Sequence, residues 1–211
     1  YHQRTYLWLE LGLQSIHEQV LKTIHRPLDL ERFSEKIHLL EAEGITFGFD
    51  LIYGLPGDSY GGFKKSLDAA LGFVPNHLHI FPLAVLPGTR LAEQRARYGI
   101  KAQQEPPYLL LSSSNWSAGE LEQSRKLAAA VDIFYNTGRA VAFFPAILQA
   151  LQTTPSALFE AFYAWMEQQP DISDEMLREP SSWQAEDSYR LLQSYLCARL
   201  KEEGKPHLVS I

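Results

Sequence analysis

From Ile45 to Tyr53 the chain is almost entirely apolar, and a glycine-rich turn, Gly54 to Gly62, follows at once. An apolar run of that length, bounded by turn residues, is what a strand buried on both faces requires. Such strands belong to parallel sheets, whose faces are covered by crossover helices. The flanking segments agree. Thr5 to Leu13 alternates Tyr6, Trp8, Glu10 and Gly12 against Leu7, Leu9, Leu11 and Leu13, the period-two pattern of a strand. A short helix is predicted from Ile16 to Ile24 and a longer one from Leu30 to Glu43. Asp29 and Gly44 cap the longer helix, and Leu30, Phe33, Ile37 and Leu40 form its stripe. Past the glycine turn, a helix ends near Phe73 and His77 to Ala84 makes a third strand. Pro87 and Gly88 then break the chain before a helical stretch from Leu91 to Tyr98.

Strand–helix–strand alternation with short turns predicts parallel strands joined by right-handed crossovers. Three strands are too few to close a barrel, so either the sheet is open or further strands lie upstream of Tyr1. The pattern changes after Ile100. Lys101 to Pro107 is polar and reads as a linker. Ser117 and Glu120 form a capping box for a helix reaching Tyr135, which Asn136 to Arg139 stops. Further helices are predicted at Ala140 to Leu151, at Pro155 to Gln168 after Thr154, and at Gln184 to Glu203. The expected division is an α/β part over residues 1–100 and a helical domain over 105–211.

With 45% hydrophobic and 21% charged residues, the 211-residue chain can bury a core. Its formal charge of −6 argues against nucleic acid as a partner, which needs a basic face. No apolar stretch is long enough to span a bilayer. The single cysteine, Cys197, cannot pair within the chain, which fits a reducing, cytoplasmic setting. Tyr1 in place of an initiating methionine points to an excised or processed chain.

Four segments carry candidate chemistry. Glu10, Gly12 and Gln14 share a strand face, and a carboxylate and an amide at the carboxyl end of a parallel strand suit hydroxyls and amines. Taken alone, the pair reads equally well as a solvated strand edge. Arg26 suits a ligand carboxylate or phosphate, or simply ends a helix before Pro27. Asp50 interrupts an apolar strand, and a carboxylate there must find donors, for which ribose hydroxyls serve. Gly54 and Gly57 behind it allow close backbone approach, but the turn lacks the Gly-Lys-Ser/Thr ending of a phosphate loop, which excludes nucleotide hydrolysis. Pro82 to Thr89 offers backbone that can cradle a flat ring, or is a plain turn. His77 and His79 share a face, but two histidines without a third ligand are a weak metal signal. Cys197 reads as a small core residue, and the aromatics from Phe134 to Trp165 as helical core, with some available to line a pocket for a flat substrate.

The order of these segments adds what none carries alone. E-x-G-x-Q-S, an arginine twelve residues after Gln14, then DLIYGLPG and PGT resemble the second half of radical S-adenosylmethionine (SAM) enzymes. The likeness covers about residues 5 to 98. It is closest to the branch holding oxygen-independent coproporphyrinogen oxidases and cobalamin-binding radical SAM proteins.

The resemblance implies a partial (β/α) radical SAM barrel followed by an α-helical domain. It implies that Gln14 bonds the SAM ribose, that Arg26 pairs with the methionine carboxylate, and that Asp50 holds ribose and amino acid. Ile52 would pack near the adenine, Ala84 would offer it backbone, and Glu10 would line the site or support a neighbouring strand. The activity implied for the full enzyme is reductive SAM cleavage to a 5′-deoxyadenosyl radical. It would use a small-molecule substrate, an electron-donor protein and, in some relatives, cobalamin from an upstream domain. Some of these are described as tetrapyrrole cyclases of the magnesium-protoporphyrin monomethyl ester type. The CxxxCxxC motif that binds a 4Fe–4S cluster is not in this chain. Its ligands are therefore expected upstream, and the fragment alone is expected to be inactive. The rival reading is a non-enzymatic α/β and helical module that binds a partner protein.

Overall fold

The computed structural model describes residues 7–205, so Thr5 and Tyr6 of the first expected strand lie outside the described residues. The chain forms two compact units, Tyr1–Ser124 and Arg125–Ile211.

The first unit is built on three strands, β1 (Trp8–Gln14), β2 (Thr46–Tyr53) and β3 (His77–Pro82). They lie in the order β1-β2-β3, and both pairings are parallel. The crossovers are α1 (Glu18–Thr23) with α2 (Leu30–Ala42), and α3 (Tyr60–Gly72). Asp29 caps α2 by accepting a hydrogen bond from the Arg32 amide at 3.1 Å. Ser59 does the same for α3 through the Gly62 amide at 3.1 Å.

The sheet has one packed face. Phe47, Phe49, Leu51, Tyr53 and Leu78 are buried there with Ile37 of α2 and with Phe63, Leu67 and Ala70 of α3. Phe49 packs its ring 5.6 Å from Phe33 and 5.9 Å from Phe73. The opposite face carries Glu10, Gly12, Asp50, Ile52, His77 and His79 and is only partly covered. The expectation that β2 is buried on both faces is therefore corrected: Thr46, Asp50 and Ile52 look onto the more open side. Leu30, expected in the buried stripe of α2, is 40% exposed at the helix start.

Beyond β3 the chain makes two single-turn helices, α4 (Arg90–Glu93) and α5 (Arg95–Tyr98), in place of one helix over 91–98. The expected linker is instead structured. β4 (Lys101–Ala102) pairs antiparallel with β5 (Leu110–Ser112). Trp116 is buried and donates its indole N–H to the Leu55 carbonyl at 3.0 Å, tying this hairpin to the glycine turn.

α6 (Ala118–Val131) opens on the expected capping box: the Ser117 hydroxyl accepts from the Glu120 amide, and the Glu120 carboxylate accepts from the Ser117 amide. The Ser117 amide, and after it the Ser117 hydroxyl donating to the same carboxylate, hold the Glu120 carboxyl below its ordinary pKa.

In the second unit a π-helical segment, Asp132–Thr137, continues α6, and a 3-10 turn, Ala140–Ala142, follows. α7 (Phe144–Leu151), α8 (Pro155–Met166), α9 (Asp174–Arg178) and α10 (Ala185–Glu202) complete it. Its core is aromatic: Phe134 meets Phe159 and Phe162 edge-on at 5.6 and 5.1 Å, and Phe162 meets Tyr195 at 5.0 Å. Burial raises the Tyr195 hydroxyl to about 12.

Candidate functional site

β1 ends irregularly, and the irregularity aims its last side chain. Gly12 pairs with Asp50 but Gln14 pairs with the next residue, Leu51, so a register shift lies between them. Gln14 takes φ +64°. The Ser15 amide bonds back to the Leu13 carbonyl at 2.8 Å, closing a tight turn centred on Gln14. A non-glycine residue there is strained, and such strain concentrates at functional positions. Gln14 is 7% exposed, so its amide is held under cover rather than in solvent.

Arg26 is delivered by the end of α1. The His25 amide bonds to the Lys22 carbonyl at 3.1 Å, and the Arg26 amide to the Leu21 carbonyl at 2.8 Å. That bond pair is a Schellman stop, with His25 at φ +56° where glycine is usual. The guanidinium returns over the sheet. A Cβ built on Gly12 would lie 2.8 Å from the Gln14 amide nitrogen and 3.5 and 3.7 Å from the two terminal nitrogens of Arg26. Gly12 thus leaves the space in which Gln14 and Arg26 meet.

Asp50 is the strand partner of Gly12. The three residues expected to share one ligand are therefore brought to one face and one level of the sheet. Ile52 is on the same face, one step further along, paired with Phe81. Ala84 lies past the end of β3 in an antiparallel bridge with Leu109. That bridge uses the Leu83 carbonyl and the Val85 amide, so Ala84's own N–H and C=O point to the other side.

Glu10 is one step earlier on β1. Its carboxylate occupies the space above Gly48, 2.7 Å from where a Cβ would stand, and accepts the Trp8 indole N–H at 3.0 Å. His79 on β3 brings Nδ1 to 3.5 Å from both Glu10 and Asp50. Sequence reasoning weighed His77 and His79 together and missed that His79 meets two carboxylates. The signal was in strand register: Asp50 pairs with His79 and Glu10 with Gly48.

The glycine turn is a second polar centre. Gly54 and Gly57 take φ +90° and +81°. Asp58 is 4% exposed, accepts the Ser59 amide at 2.8 Å, and has no partner for Oδ2 among the described residues. Burial raises its carboxyl pKa, against the Ser59 hydrogen bond and the charge of His17. In the second unit, Cys197 lines an apolar cavity of about 650 Å³ with Phe143, Ile147, Leu192, Leu196 and Leu200. Phe134, Tyr135, Phe144, Phe159 and Phe162 are fully buried core instead. Among the described residues no helix is long and apolar enough to cross a membrane.

One face of the parallel sheet thus carries an amide, a guanidinium and a carboxylate at one level, with a second carboxylate one step earlier. The chain belongs to the family described as "Protein of unknown function (DUF4080)", whose model matches residues 96–208, just over half of the sequence. The chain is also similar to the oxygen-independent coproporphyrinogen III oxidase of Helicobacter pylori, 39% identical over 37% of this chain and 18% of that one. It is 38% identical to the heme chaperone HemW of Mycobacterium tuberculosis, over 44% of this chain and 24% of the relative. An N-terminally truncated Elp3 of Methanocaldococcus infernus aligns in structure with TM-score 0.43 at 27% identity, covering 57% of this chain and 27% of the other. The two curated relatives support the radical SAM superfamily at partial identity, and the chain spans a quarter or less of the length of each. At family level they imply SAM and an iron–sulfur cluster.

Proposed function

We propose that the first unit is the SAM-binding portion of a radical SAM enzyme whose cluster ligands lie upstream, in a barrel that this sheet helps to close. The observation carrying this reading is the convergence of Gln14 and Arg26 over Gly12, whose strand partner is Asp50. The donor set fits SAM. The guanidinium of Arg26 takes the methionine carboxylate, and the Gln14 amide and Asp50 carboxylate take the ribose hydroxyls. Ile52 gives an apolar wall for the adenine, and the free backbone side of Ala84 gives its edge donor and acceptor. Glu10 lines the same face. When bound beside a cluster, SAM supplies the 5′-deoxyadenosyl radical that takes a hydrogen from the substrate. The residues present do not fit the cluster itself, since Cys197 is the single thiol. The fragment alone is accordingly inactive in this reading.

Exposed Trp8 and Phe81, 52% and 47% open on the sheet's less covered face, support a covering of that face in the whole protein, as closure of a barrel would give. Two of the relatives are named for coproporphyrinogen and heme, which supports a tetrapyrrole substrate. The finer form of the reading is a cobalamin-dependent enzyme acting on a tetrapyrrole of the magnesium-protoporphyrin monomethyl ester kind, served by an electron-donor protein in the cytoplasm.

The test is calorimetric titration of SAM, without oxygen, into the protein carrying its cluster-binding segment. Arg26 is exposed in the chain alone and would be covered by the ligand, and removing one partner of a charge pair covered in this way costs about 2–5 kcal/mol. Arg26→Ala should therefore weaken SAM binding by well over tenfold, and equal affinities would remove Arg26 from the site.

A further inference from the structure

We propose that Glu10, Asp50 and His79 form a binding site for a divalent first-row transition-metal ion on the open face of the sheet. One ligand atom from each residue lies within 4.8 Å of the others. His79 Nδ1 is 3.5 Å from the Glu10 carboxylate and 3.5 Å from the Asp50 carboxylate. Those separations are long for N–H···O hydrogen bonds, which centre near roughly 2.9 Å. They match ligands around one ion, since metal–ligand bonds of about 2.1 Å at tetrahedral angles set two donor atoms about 3.4 Å apart.

The three residues come from three adjacent strands, so the backbone holds them rather than a loop. Glu10 reaches the site because Gly48, its neighbour on β2, has no side chain in the way. Its second oxygen is held by the Trp8 indole N–H, the outer support that orients a metal-binding carboxylate. The His77 ring stands 4.2 Å from that of His79 and walls the site on one side, and Phe81 does so at 5.7 Å on the other.

One imidazole and two carboxylates favour zinc, manganese, cobalt or ferrous iron over calcium and magnesium, which prefer all-oxygen shells. Three protein ligands leave coordination positions open, as in sites that bind a substrate atom or water. The side chains of His79, Glu10 and Asp50 are 45%, 29% and 27% exposed, so an ion has access. The site shares Asp50 and Glu10 with the SAM reading but does not rest on it, because His79, which completes the ligand set, plays no part in that reading. A negative SAM titration leaves the metal site standing, and a negative metal titration leaves the SAM site standing.

The experiment is equilibrium dialysis of the metal-free 211-residue chain against Co²⁺, read by metal content and visible absorption, with Zn²⁺ as competitor. The expected result is one cobalt per chain with ligand-field bands that zinc abolishes. His79→Ala should weaken binding at least 100-fold. Trp8→Phe should weaken it by about tenfold or more, as loss of an outer-shell donor does. Circular dichroism checks that each variant folds. If His79→Ala does not, Glu10→Gln decides, since it keeps the shape and the bond from Trp8 but halves the anionic charge. Absence of stoichiometric cobalt overturns the proposal. So does cobalt binding that neither His79→Ala nor Glu10→Gln weakens.

Discussion

Asp58 shows how one buried oxygen sets a pH dependence. Its carboxyl is raised above its ordinary value of 3.8, chiefly because burial penalises the charged form. A raised folded-state pKa means the fold prefers the neutral acid. The stability this group contributes is complete below the unfolded value and is lost as pH rises through the folded one. Asp58→Asn keeps the acceptor for the Ser59 amide and cannot ionise. The variant should therefore gain stability relative to the wild type as pH rises from about 4 toward 7, because only the wild type must then bury a charge or take up a proton. Urea unfolding of both proteins at the two pH values measures the difference. A stability gap that is flat with pH would show that Asp58 is not buried neutral. The sequence marked this turn through Gly54 and Gly57, but gave Asp58 no role. A carboxylate at a helix start normally reads as a cap, and here Ser59 is the cap while Asp58 is covered. At the candidate site, motif order singled out Gln14, Arg26 and Asp50, and the structure puts them on one face of the sheet. The strained turn that aims Gln14 and the Schellman stop that aims Arg26 were not legible, because both put φ > 0 on residues with side chains.

The elements divide by how much chain they use. The three parallel strands and the helices between them were legible because each repeats its apolar period over six or more residues. β4 and β5, with two and three residues, are too short to show a period, so the stretch read as a linker. His79 was undervalued for a related reason: its partners are set by register across strands, which no local pattern encodes. The π-helical segment after α6 is another element without a local signal. It is closed by the Gly138 amide on the Ile133 carbonyl at 3.0 Å. A Cβ on Gly138 would stand 2.4 Å from the Phe134 carbonyl and 2.9 Å from Leu192 of α10. The first of these is backbone and cannot step aside. Its φ of −73° suits any residue, so space alone requires glycine there. Gly138→Ala should lower the unfolding free energy by about 1–3 kcal/mol, the usual cost of overpacking a tight core. Thermal unfolding of the variant checks this, and an unchanged Tm would mean that the segment relaxes into an ordinary helix.

At the scale of the whole chain, the sharpest consequence concerns iron. A 4Fe–4S cluster of the radical SAM kind needs three thiolates from the protein, and this chain has Cys197 alone, beside an apolar cavity of the second unit. Anaerobic reconstitution of the 211-residue chain with iron and sulfide should therefore yield no cluster. Iron content by itself is a poor readout, because a Glu10–Asp50–His79 site would also take up ferrous ion. Acid-labile sulfide separates the two. Iron bound without sulfide, and lost in His79→Ala, belongs to the nitrogen and oxygen ligands of the sheet. Iron bound with equimolar sulfide, and with the strong visible absorption of iron–thiolate clusters, would mean that clusters form here without the three-cysteine motif. That outcome would remove the reason for placing the ligands upstream. The same reconstitution on a longer protein carrying those cysteines should give both kinds of iron, and only the sulfide-bearing fraction should survive His79→Ala.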